Sequence, residues 1–289
     1  MSFFKSPQEV RELLATTGYL ADEATATSVF LAERLGKPLL LEGPAGVGKT
    51  ELAKAVATIT GSDLIRLQCY EGLDEARALY EWNYPKQLLR IQAASKGNGD
   101  GSWNAVHDDI FTNEFLLERP LLAAIRSEDP TVLLIDETDK ADLEVEGLML
   151  EVLSDFQISI PELGTVTATR VPIVIVTSNA SRELSEALKR RCLYLYISYP
   201  SIEHEKEILR TRVPDLEEGL AQQIAATIAA IRDLDLKKAP SISESIDWAH
   251  TLIALGAKDI NAELVEATLG VVLKHVDDQE LARAELKLA

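Results

Sequence analysis

Hydrophobic residues form short uninterrupted runs between residues 38 and 197, and helical patterns separate these runs. The clearest run is Val132-Leu133-Leu134-Ile135, with polar residues on both sides. A run without alternation is typical of a strand that is buried on both faces, as in a parallel sheet. This run and four other strand-like segments predict a five-stranded parallel sheet, at residues 38–41, 63–69, 131–137, 171–177 and 192–197.

The pattern changes near Pro200. Beyond this residue no strand pattern remains, and four or five helical patterns fill residues 201–289. One of them begins with Ser241 and Glu244 in the S-x-x-E spacing of a capping box. The sequence therefore predicts two domains, an α/β domain at 1–199 and a small all-helical domain at 200–289.

Two inserts interrupt the alternation of strands and helices. Residues 156–169 alternate between apolar and polar positions around a Pro-Glu-Leu-Gly turn, which predicts a β-hairpin. A second insert is predicted at 81–112, with the glycine-rich stretch 96–102 at its tip. The aromatic residues near its start are either a partner-facing patch or core, and core is favoured for them: Tyr80, Trp82 and Tyr84.

Two prolines lie within helical patterns near the second insert. We expect Pro85 to break or kink the helical stretches of residues 73–95. Pro120 is expected to interrupt the helical pattern of residues 113–127.

A glycine-rich loop follows the first predicted strand and opens a helical pattern. Its sequence, Gly43-Pro44-Ala45-Gly46-Val47-Gly48-Lys49-Thr50, fits the pattern G-x-x-x-x-G-K-[ST]. Glycines let backbone N–H groups curl around phosphate oxygens, and the helix N-terminus adds a positive dipole end. Lys49 can reach the β- and γ-phosphates, and the Thr50 hydroxyl can ligate Mg²⁺. We therefore predict a nucleoside-triphosphate site that runs from Gly43 to Glu51.

Polar side chains end two of the predicted strands. Asp136 and Glu137 end one strand, and ligands of open α/β sheets bind outside the carboxyl ends of strands. Asp136 can hold Mg²⁺ and Glu137 can polarise the water that attacks the γ-phosphate, although both could be ordinary surface carboxylates. Asn179 ends the next strand, where it either orients the same water or contacts the γ-phosphate, or else caps the helix that follows.

Two arginines, Arg190 and Arg191, follow Lys189 at the end of the next short helix. One interpretation is that these cations compensate the helix dipole. The alternative is an arginine finger that reaches the γ-phosphate of a neighbouring subunit.

Composition narrows the possible partners. The chain has 289 residues and a net charge of −18, and no Lys/Arg block with interleaved aromatic residues occurs. Because binding to a polyanion needs a basic surface, nucleic-acid binding is disfavoured. Cys69 and Cys192 lack metal-binding spacing and are interpreted as buried reduced thiols. No stretch of about 18 apolar residues occurs, so no membrane insertion is predicted and a cytoplasmic protein is expected.

The order of these features resembles an AAA+ ATPase over nearly the whole chain. The hairpin ahead of the strand that ends in Asn179, together with the segment around 81–112, is similar to the MoxR-type branch with its helix-2 insert. Four stretches further resemble the CoxD-like group, which is implicated in maturing carbon monoxide dehydrogenase and related molybdenum hydroxylases. These stretches lie at 67–76, 79–82, 135–142 and 188–194.

The resemblance implies a role for each candidate residue. Lys49 and Thr50 would serve the phosphates of ATP and Mg²⁺. At the strand ends, Asp136 would serve Mg²⁺, Glu137 would activate water and Asn179 would be the sensor. Of the two arginines, Arg191 is favoured as the finger because it directly precedes the strand entry at Cys192, and Arg190 is the fallback.

The chain departs from the MoxR pattern in the helical domain, which would form a lid. MoxR-type lids usually carry a sensor arginine within a Ser-Pro-Arg-like segment. The matching stretch here is Pro240-Ser241-Ile242-Ser243-Glu244, which has no arginine. Either another cation contacts the γ-phosphate from the lid, or lid closure is coupled weakly to the nucleotide.

The resemblance also implies an assembly and partners. An ATP-driven remodeller of this type would form a homo-oligomeric ring, expected to be a hexamer, because each site is completed by a neighbour's arginine. It would act with a von Willebrand factor A domain partner on a metalloenzyme client, and the inserts at 81–112 and 156–169 are the expected client contacts.

Several alternatives remain open. A MoxR-type ATPase could serve another client, in gas-vesicle, nitric oxide reductase or carboxylase activation. A P-loop kinase for a small molecule would need a lid arginine and an acceptor pocket. A clamp-loader-like DNA switch conflicts with the negative charge, and a scaffold that binds ATP without turnover conflicts with Glu137.

Overall fold

The computed structural model describes residues 2–95 and 109–286. The predicted tip at 96–102, and part of the predicted insert at 81–112, lie outside the described residues. The chain forms two compact units. One comprises Met1–Leu13, Ala21–Glu42 and Thr50–Leu195, and the other comprises Leu14–Leu20, Gly43–Lys49 and Tyr196–Ala289. The boundary near Pro200 stays a sequence-based prediction.

The structure contains strands at the positions where the sequence predicts them, including the hairpin, and two further short strands at the ends of the insert at 81–112. Nine strands occur in the described part of the chain: β1 (Leu39–Glu42), β2 (Asp63–Gln68), β3 (Tyr80–Trp82), β4 (Leu116–Glu118), β5 (Thr131–Asp136), β6 (Gln157–Ile160), β7 (Gly164–Thr167), β8 (Ile173–Ser178) and β9 (Leu193–Tyr196).

Five of these strands form one sheet, in the order β2-β5-β8-β1-β9. The pairings of β2 with β5, β5 with β8, and β8 with β1 are parallel. All six residues of β5 are buried, which explains its uninterrupted apolar sequence. The predicted α/β class with a five-stranded parallel sheet is confirmed.

Helices precede, separate and follow these strands. The described residues contain α1 (Pro7–Thr16), α2 (Glu23–Leu35), α3 (Lys49–Thr60), α4 (Glu75–Ala78), α5 (Tyr84–Ser95), α6 (Pro120–Arg126), α7 (Leu143–Asp155), α8 (Glu186–Lys189), α9 (Ile202–Arg212), α10 (Glu218–Arg232), α11 (Ile242–Ala254), α12 (Ala262–Val272) and α13 (Val276–Glu285). The last five match the predicted helical segment.

The predictions for the two inserts have different outcomes. Strands β6 and β7 pair antiparallel as the predicted hairpin. At the two ends of the other insert, β3 pairs antiparallel with β4, which the sequence pattern did not predict. Trp82 is buried and packs edge-on against Phe111, whereas Tyr84 is 63% exposed, so the core interpretation was wrong for Tyr84.

Both helical patterns are interrupted just before the proline, as expected: β3 separates α4 from α5, and β4 separates the helical turn Asn113–Phe115 from α6. Pro85 is the second residue of α5, and Pro120 is the first residue of α6. Proline is tolerated in the first helical turn, because the backbone N–H that it lacks has no partner there. Each proline therefore lies in the first turn of the helix that follows the interruption.

A buried ion pair between Arg232 and Glu205 joins α9 and α10. The guanidinium binds both carboxylate oxygens, at 2.5 and 2.8 Å, and the side chains are 7% and 0% exposed. Ser245 donates a hydrogen bond of 2.6 Å to the same carboxylate, and Arg232 donates one of 2.8 Å to the carbonyl oxygen of Pro240. The pair therefore connects α9, α10 and the start of α11.

We expect Arg232→Ala to lower the free energy of unfolding by about 3–5 kcal/mol, because it leaves the Glu205 carboxylate buried without its cation. Urea denaturation of the purified chain measures the loss. The matched control is Arg283→Ala, whose partner Glu266 is 41% exposed. The control is expected to cost less than about 1 kcal/mol, and equal losses in the two variants would contradict the prediction.

Candidate functional site

The glycine-rich loop ends at Lys49, which is the first residue of α3. Lys49 is only 6% exposed, and its ammonium group donates hydrogen bonds to the carbonyl oxygens of Gly43 (2.6 Å) and Pro44 (2.7 Å). The loop is therefore folded around the lysine. The remaining predicted loop residues vary in exposure: Val47 is buried, Ala45 is exposed, and Glu51 accepts a hydrogen bond from Lys54.

Two glycines of the loop are required by close packing. Gly46 has a φ of +75°, and a Cβ atom there would lie 2.2 Å from the Cβ of Ser241. The Gly46 carbonyl oxygen also accepts a hydrogen bond of 3.2 Å from the Ile242 N–H. A Cβ at Gly43 would lie 2.0 Å from the carbonyl oxygen of Ile197. No other residue fits at either position.

Three polar side chains meet at the carboxyl ends of the sheet strands. Asp136, the last residue of β5, is 2% exposed. Its carboxylate accepts hydrogen bonds from the hydroxyls of Thr50 (3.1 and 3.2 Å) and Thr177 (2.5 Å). Because β5 and β8 are neighbouring parallel strands, Thr177 lies directly beside Asp136. The structure thus brings the two predicted metal-binding residues, Thr50 and Asp136, into contact.

Arg66, on β2, is a member of this cluster that the sequence reading missed. Its Nε and Nη2 atoms donate to Asp136 Oδ2, at 3.1 and 2.5 Å. The only available signal was its position near the end of a strand predicted to lie in the sheet. Pairing of β2 with β5 brings Arg66 within reach of the buried aspartate.

The Thr50 hydroxyl and the Asp136 carboxylate fit a magnesium ion. Both are oxygen ligands of the kind that Mg²⁺ prefers, and the guanidinium of Arg66 shows that a cation is stable against this carboxylate. Within residues 2–95 and 109–286, no group of three or more His, Cys, Asp or Glu side chains could hold a metal. Magnesium here would draw its other ligands from water and phosphate.

Glu137 has a left-handed backbone conformation, with φ of +56°. Its N–H donates to the hydroxyl of Thr177 at 2.9 Å. Its carboxylate accepts hydrogen bonds from Gln68 Nε2 (2.8 Å) and Lys140 Nζ (2.5 Å). The carboxylate is thus held by donors from two elements, and neither Gln68 nor Lys140 was identified from the sequence.

Asn179, at the end of β8, is held through its backbone by Asp139. Asp139 accepts hydrogen bonds from the N–H groups of Asn179 (3.0 Å) and Ser181 (3.1 Å), and from the Ser181 hydroxyl. Burial opposes ionisation of Asp139, but these hydrogen bonds outweigh it, so the pKa of Asp139 lies below its usual value. Asp139 therefore fixes the turn that carries Asn179.

We expect Asp139→Asn to lower the free energy of unfolding by about 1–3 kcal/mol at pH 7, because charge-assisted hydrogen bonds to the turn are lost. Since the folded pKa is depressed, this contribution is present above the unfolded pKa of about 3.8 and is lost as pH falls through the lower folded pKa. Denaturation series from pH 7 down to pH 3 measure it. The unaltered protein and Asp139→Asn should become more alike in free energy of unfolding as the pH falls. A difference that grows on acidification would contradict the prediction.

The two candidate finger arginines lie at the end of α8, and both are exposed. Arg191 donates to the hydroxyl of Ser154 and to the carbonyl oxygen of Ala187, the latter at 2.9 Å. Arg190 is the C-cap residue of α8. The guanidinium of Arg191 is therefore oriented by its neighbours and remains accessible at the surface.

The stretch that lacks the sensor arginine begins α11. Ser241 and Glu244 form the predicted capping box, in which the Ser241 N–H donates to the Glu244 carboxylate at 2.9 Å. Burial would raise the pKa of Glu244, but hydrogen bonds from Ser241 lower it overall. The interactions of Glu244 in this structure are therefore those of a residue that caps the start of α11.

No helix in the described ranges is long and apolar enough to cross a membrane. The sequence predicted two buried thiols, and this prediction is confirmed for Cys69 but only in part for Cys192. Cys69 is buried and Cys192 is partly buried, both are free thiols, and burial raises the pKa of each to about 12.

These features define a P-loop nucleotide-binding domain: a glycine loop that opens a helix, and polar residues at the strand ends of a parallel sheet. Residues 38–192 match the family model described as AAA domain (dynein-related subfamily). The match covers more than half of the chain, which therefore belongs to this family of ATP-hydrolysing AAA+ enzymes.

Relatives with similar sequences include chaperones. Chaperone protein ClpB 2 of Parasynechococcus marenigrum is 32% identical over 143 residues, which are 48% of this chain and 13% of ClpB 2. Chaperone protein ClpB of Aquifex aeolicus is 24% identical over 252 residues, which are 84% of this chain and 21% of that protein. The chain thus spans only a small part of these relatives.

Solved structures share the fold. A variant of RuvB from Thermotoga maritima aligns with a TM-score of 0.51 at 20% identity, over 98% of this chain and 74% of that chain. At this identity the likeness shows the fold alone.

Proposed function

We propose that this protein binds ATP with Mg²⁺ and hydrolyses it at the loop and strand-end residues described above. The proposal rests on the contact of Thr50 with the buried Asp136 directly after the Lys49 loop. Lys49 binds the β- and γ-phosphates, and Thr50 and Asp136 hold the metal. When bound, Mg²⁺ neutralises charge that develops on the phosphates. Glu137 accepts a hydrogen bond from the attacking water and orients it.

Asn179 contacts the γ-phosphate or the same water. The backbone N–H of Asn179 donates to the carboxylate of Asp139, and this hydrogen bond fixes the backbone from which the Asn179 side chain projects. The rate then depends on how well Glu137 and Asn179 hold the water in line with the γ-phosphorus.

The catalytic site is completed by a second copy of the chain. Arg191 of one protomer reaches the γ-phosphate of its neighbour, and repetition of this contact generates a ring, which we propose to be a hexamer. The exposed position of Arg191 at the end of α8 supports this assignment, and Arg190 is the fallback.

We propose that the ring is a MoxR-type chaperone of the CoxD-like group. Its work is the maturation or metal-centre assembly of a molybdenum hydroxylase such as carbon monoxide dehydrogenase, together with a von Willebrand factor A domain protein. The resemblance of the motifs supports this client, and the chaperone names of the ClpB relatives agree with a remodelling role. The inserts at 81–112 and 156–169 contact the client.

The test uses the tagged full chain with Glu137→Gln, which retains ATP. Sedimentation with MgATP should give a hexamer, and co-purification from the native cell should recover a von Willebrand factor A protein and a molybdenum hydroxylase. Lys49→Ala is the control that should recover neither. Recovery of a gas-vesicle, nitric oxide reductase or carboxylase protein would change the client, and phosphate transfer to a small acceptor without free phosphate would refute the ATPase.

A further inference from the structure

In this structure, hydrogen bonds from four donor groups occupy the buried carboxylate of Asp136. A carboxylate accepts about four hydrogen bonds, through the lone pairs of its two oxygens. Four donor groups already meet Asp136, namely the hydroxyls of Thr50 and Thr177 and the Nε and Nη2 of Arg66. A metal ion, or a water bound to it, can reach this carboxylate only after one donor leaves.

The donors differ in how easily they can leave. Thr177 is 1% exposed and its hydroxyl also accepts the N–H of Glu137, so it is fixed between two groups. The Thr50 hydroxyl can turn its oxygen to a metal and stay in place. The side chain of Arg66 is 48% exposed and has three carbon atoms in its flexible stem. Arg66 is therefore the donor that can withdraw.

Electrostatics also favour the replacement of the Arg66 guanidinium by a metal ion at Asp136. The guanidinium supplies the positive charge that a carboxylate only 3% exposed at its side chain requires. A divalent cation at the same carboxylate would repel the guanidinium across a few ångströms. An acceptor also remains available to Arg66 after it leaves, because its Nη2 already donates to the carboxamide oxygen of Gln68.

We propose that Arg66 is a positioning residue that occupies Asp136 in the metal-free state and is displaced when the metal–nucleotide complex binds. This inference rests on the proposed ATP and Mg²⁺ site. It makes Arg66 an internal competitor of the metal, so free Mg²⁺ binds poorly and the phosphates of ATP are needed to bring the ion in. The competition is a property of metal binding and does not require hydrolysis.

The test measures Mn²⁺, a spectroscopic substitute for Mg²⁺, by electron paramagnetic resonance with saturating ADP and full-length protein. Arg66→Gln removes the competing cation and is expected to tighten Mn²⁺ binding by about three- to tenfold, as for loss of a half-exposed charged partner. Arg66→Lys keeps the positive charge but lacks the planar guanidinium. Its Mn²⁺ affinity should lie between those of the unaltered protein and Arg66→Gln. The control is Arg90→Gln, an exposed arginine paired with Asp109, which should leave the affinity unchanged.

A second experiment measures thermal stability. Adding Mn²⁺ and ADP should raise the melting temperature of Arg66→Gln more than that of the unaltered protein, because metal then supplies a charge that the variant lacks. A merely structural arginine would give weaker or unchanged Mn²⁺ binding on replacement, and either result overturns the inference while the nucleotide site stands. Absence of Mn²⁺–ADP binding in every protein, the unaltered chain included, would refute the proposed function together with the inference.

Discussion

Arg191→Ala is expected to reduce ATP turnover by about 10³–10⁵-fold while ATP binding persists, since arginine fingers have effects of this size in other phosphoryl-transfer enzymes. In the proposed mechanism the guanidinium stabilises charge that develops only in the transition state, so its loss should lower kcat and leave the affinity for ATP unchanged. Phosphate release and fluorescent-nucleotide titration measure the two quantities. Unchanged turnover would refute the assignment.

A mixing experiment separates action on a neighbour from action within one subunit. Arg191→Ala subunits retain Glu137, and Glu137→Gln subunits retain Arg191. If the arginine acts in trans, an equal mixture should hydrolyse ATP faster than either variant alone, because some sites receive both groups. Arg190→Ala is the matched control at the adjacent position. A loss in Arg190→Ala with full activity in Arg191→Ala would transfer the role to Arg190.

Glu137→Gln is expected to reduce hydrolysis by about 10²–10⁴-fold, the usual contribution of a positioned proton acceptor. Glutamine keeps the size of the side chain and can still accept a hydrogen bond at one atom, so ATP and Mg²⁺ should bind as before. Single-turnover measurements with radiolabelled ATP test the chemical step directly. A similar rate in the variant would mean that another group orients the water.

The control for Glu137→Gln is Glu144→Gln, on α7. Glu144 is exposed, so the same chemical change there should leave turnover unchanged. A loss in both variants would indicate an effect of net charge and not of the site.

Local sequence patterns were sufficient to predict the strands of the sheet and the glycine-rich loop. The run 132–135 predicted a strand buried on both faces, because only a strand with such neighbours needs apolar side chains on both sides. The glycine spacing of 43–50 predicted a phosphate loop, because its requirements lie within eight consecutive residues. The capping box at Ser241 is likewise local, and the structure contains it.

The interruptions at the two prolines were predicted, but the residue at which each following helix begins was not. The same residue that breaks a helix interior is suited to its first turn, and the pattern did not show where the helix began. Pairing of β3 with β4 was also missed, since 33 residues separate the end of one strand from the start of the other. No local pattern encodes a partner at that distance.

The sequence by itself determined the class of the domain and the identity of its loop and strand-end residues. Only the tertiary structure decided what surrounds Asp136 and Glu137. Arg66 and Gln68 lie about seventy residues before these carboxylates, and they meet them because β2 and β5 are adjacent in the sheet. Periodicity and motif spacing are properties of neighbouring residues, whereas the order of strands depends on packing of the whole sheet.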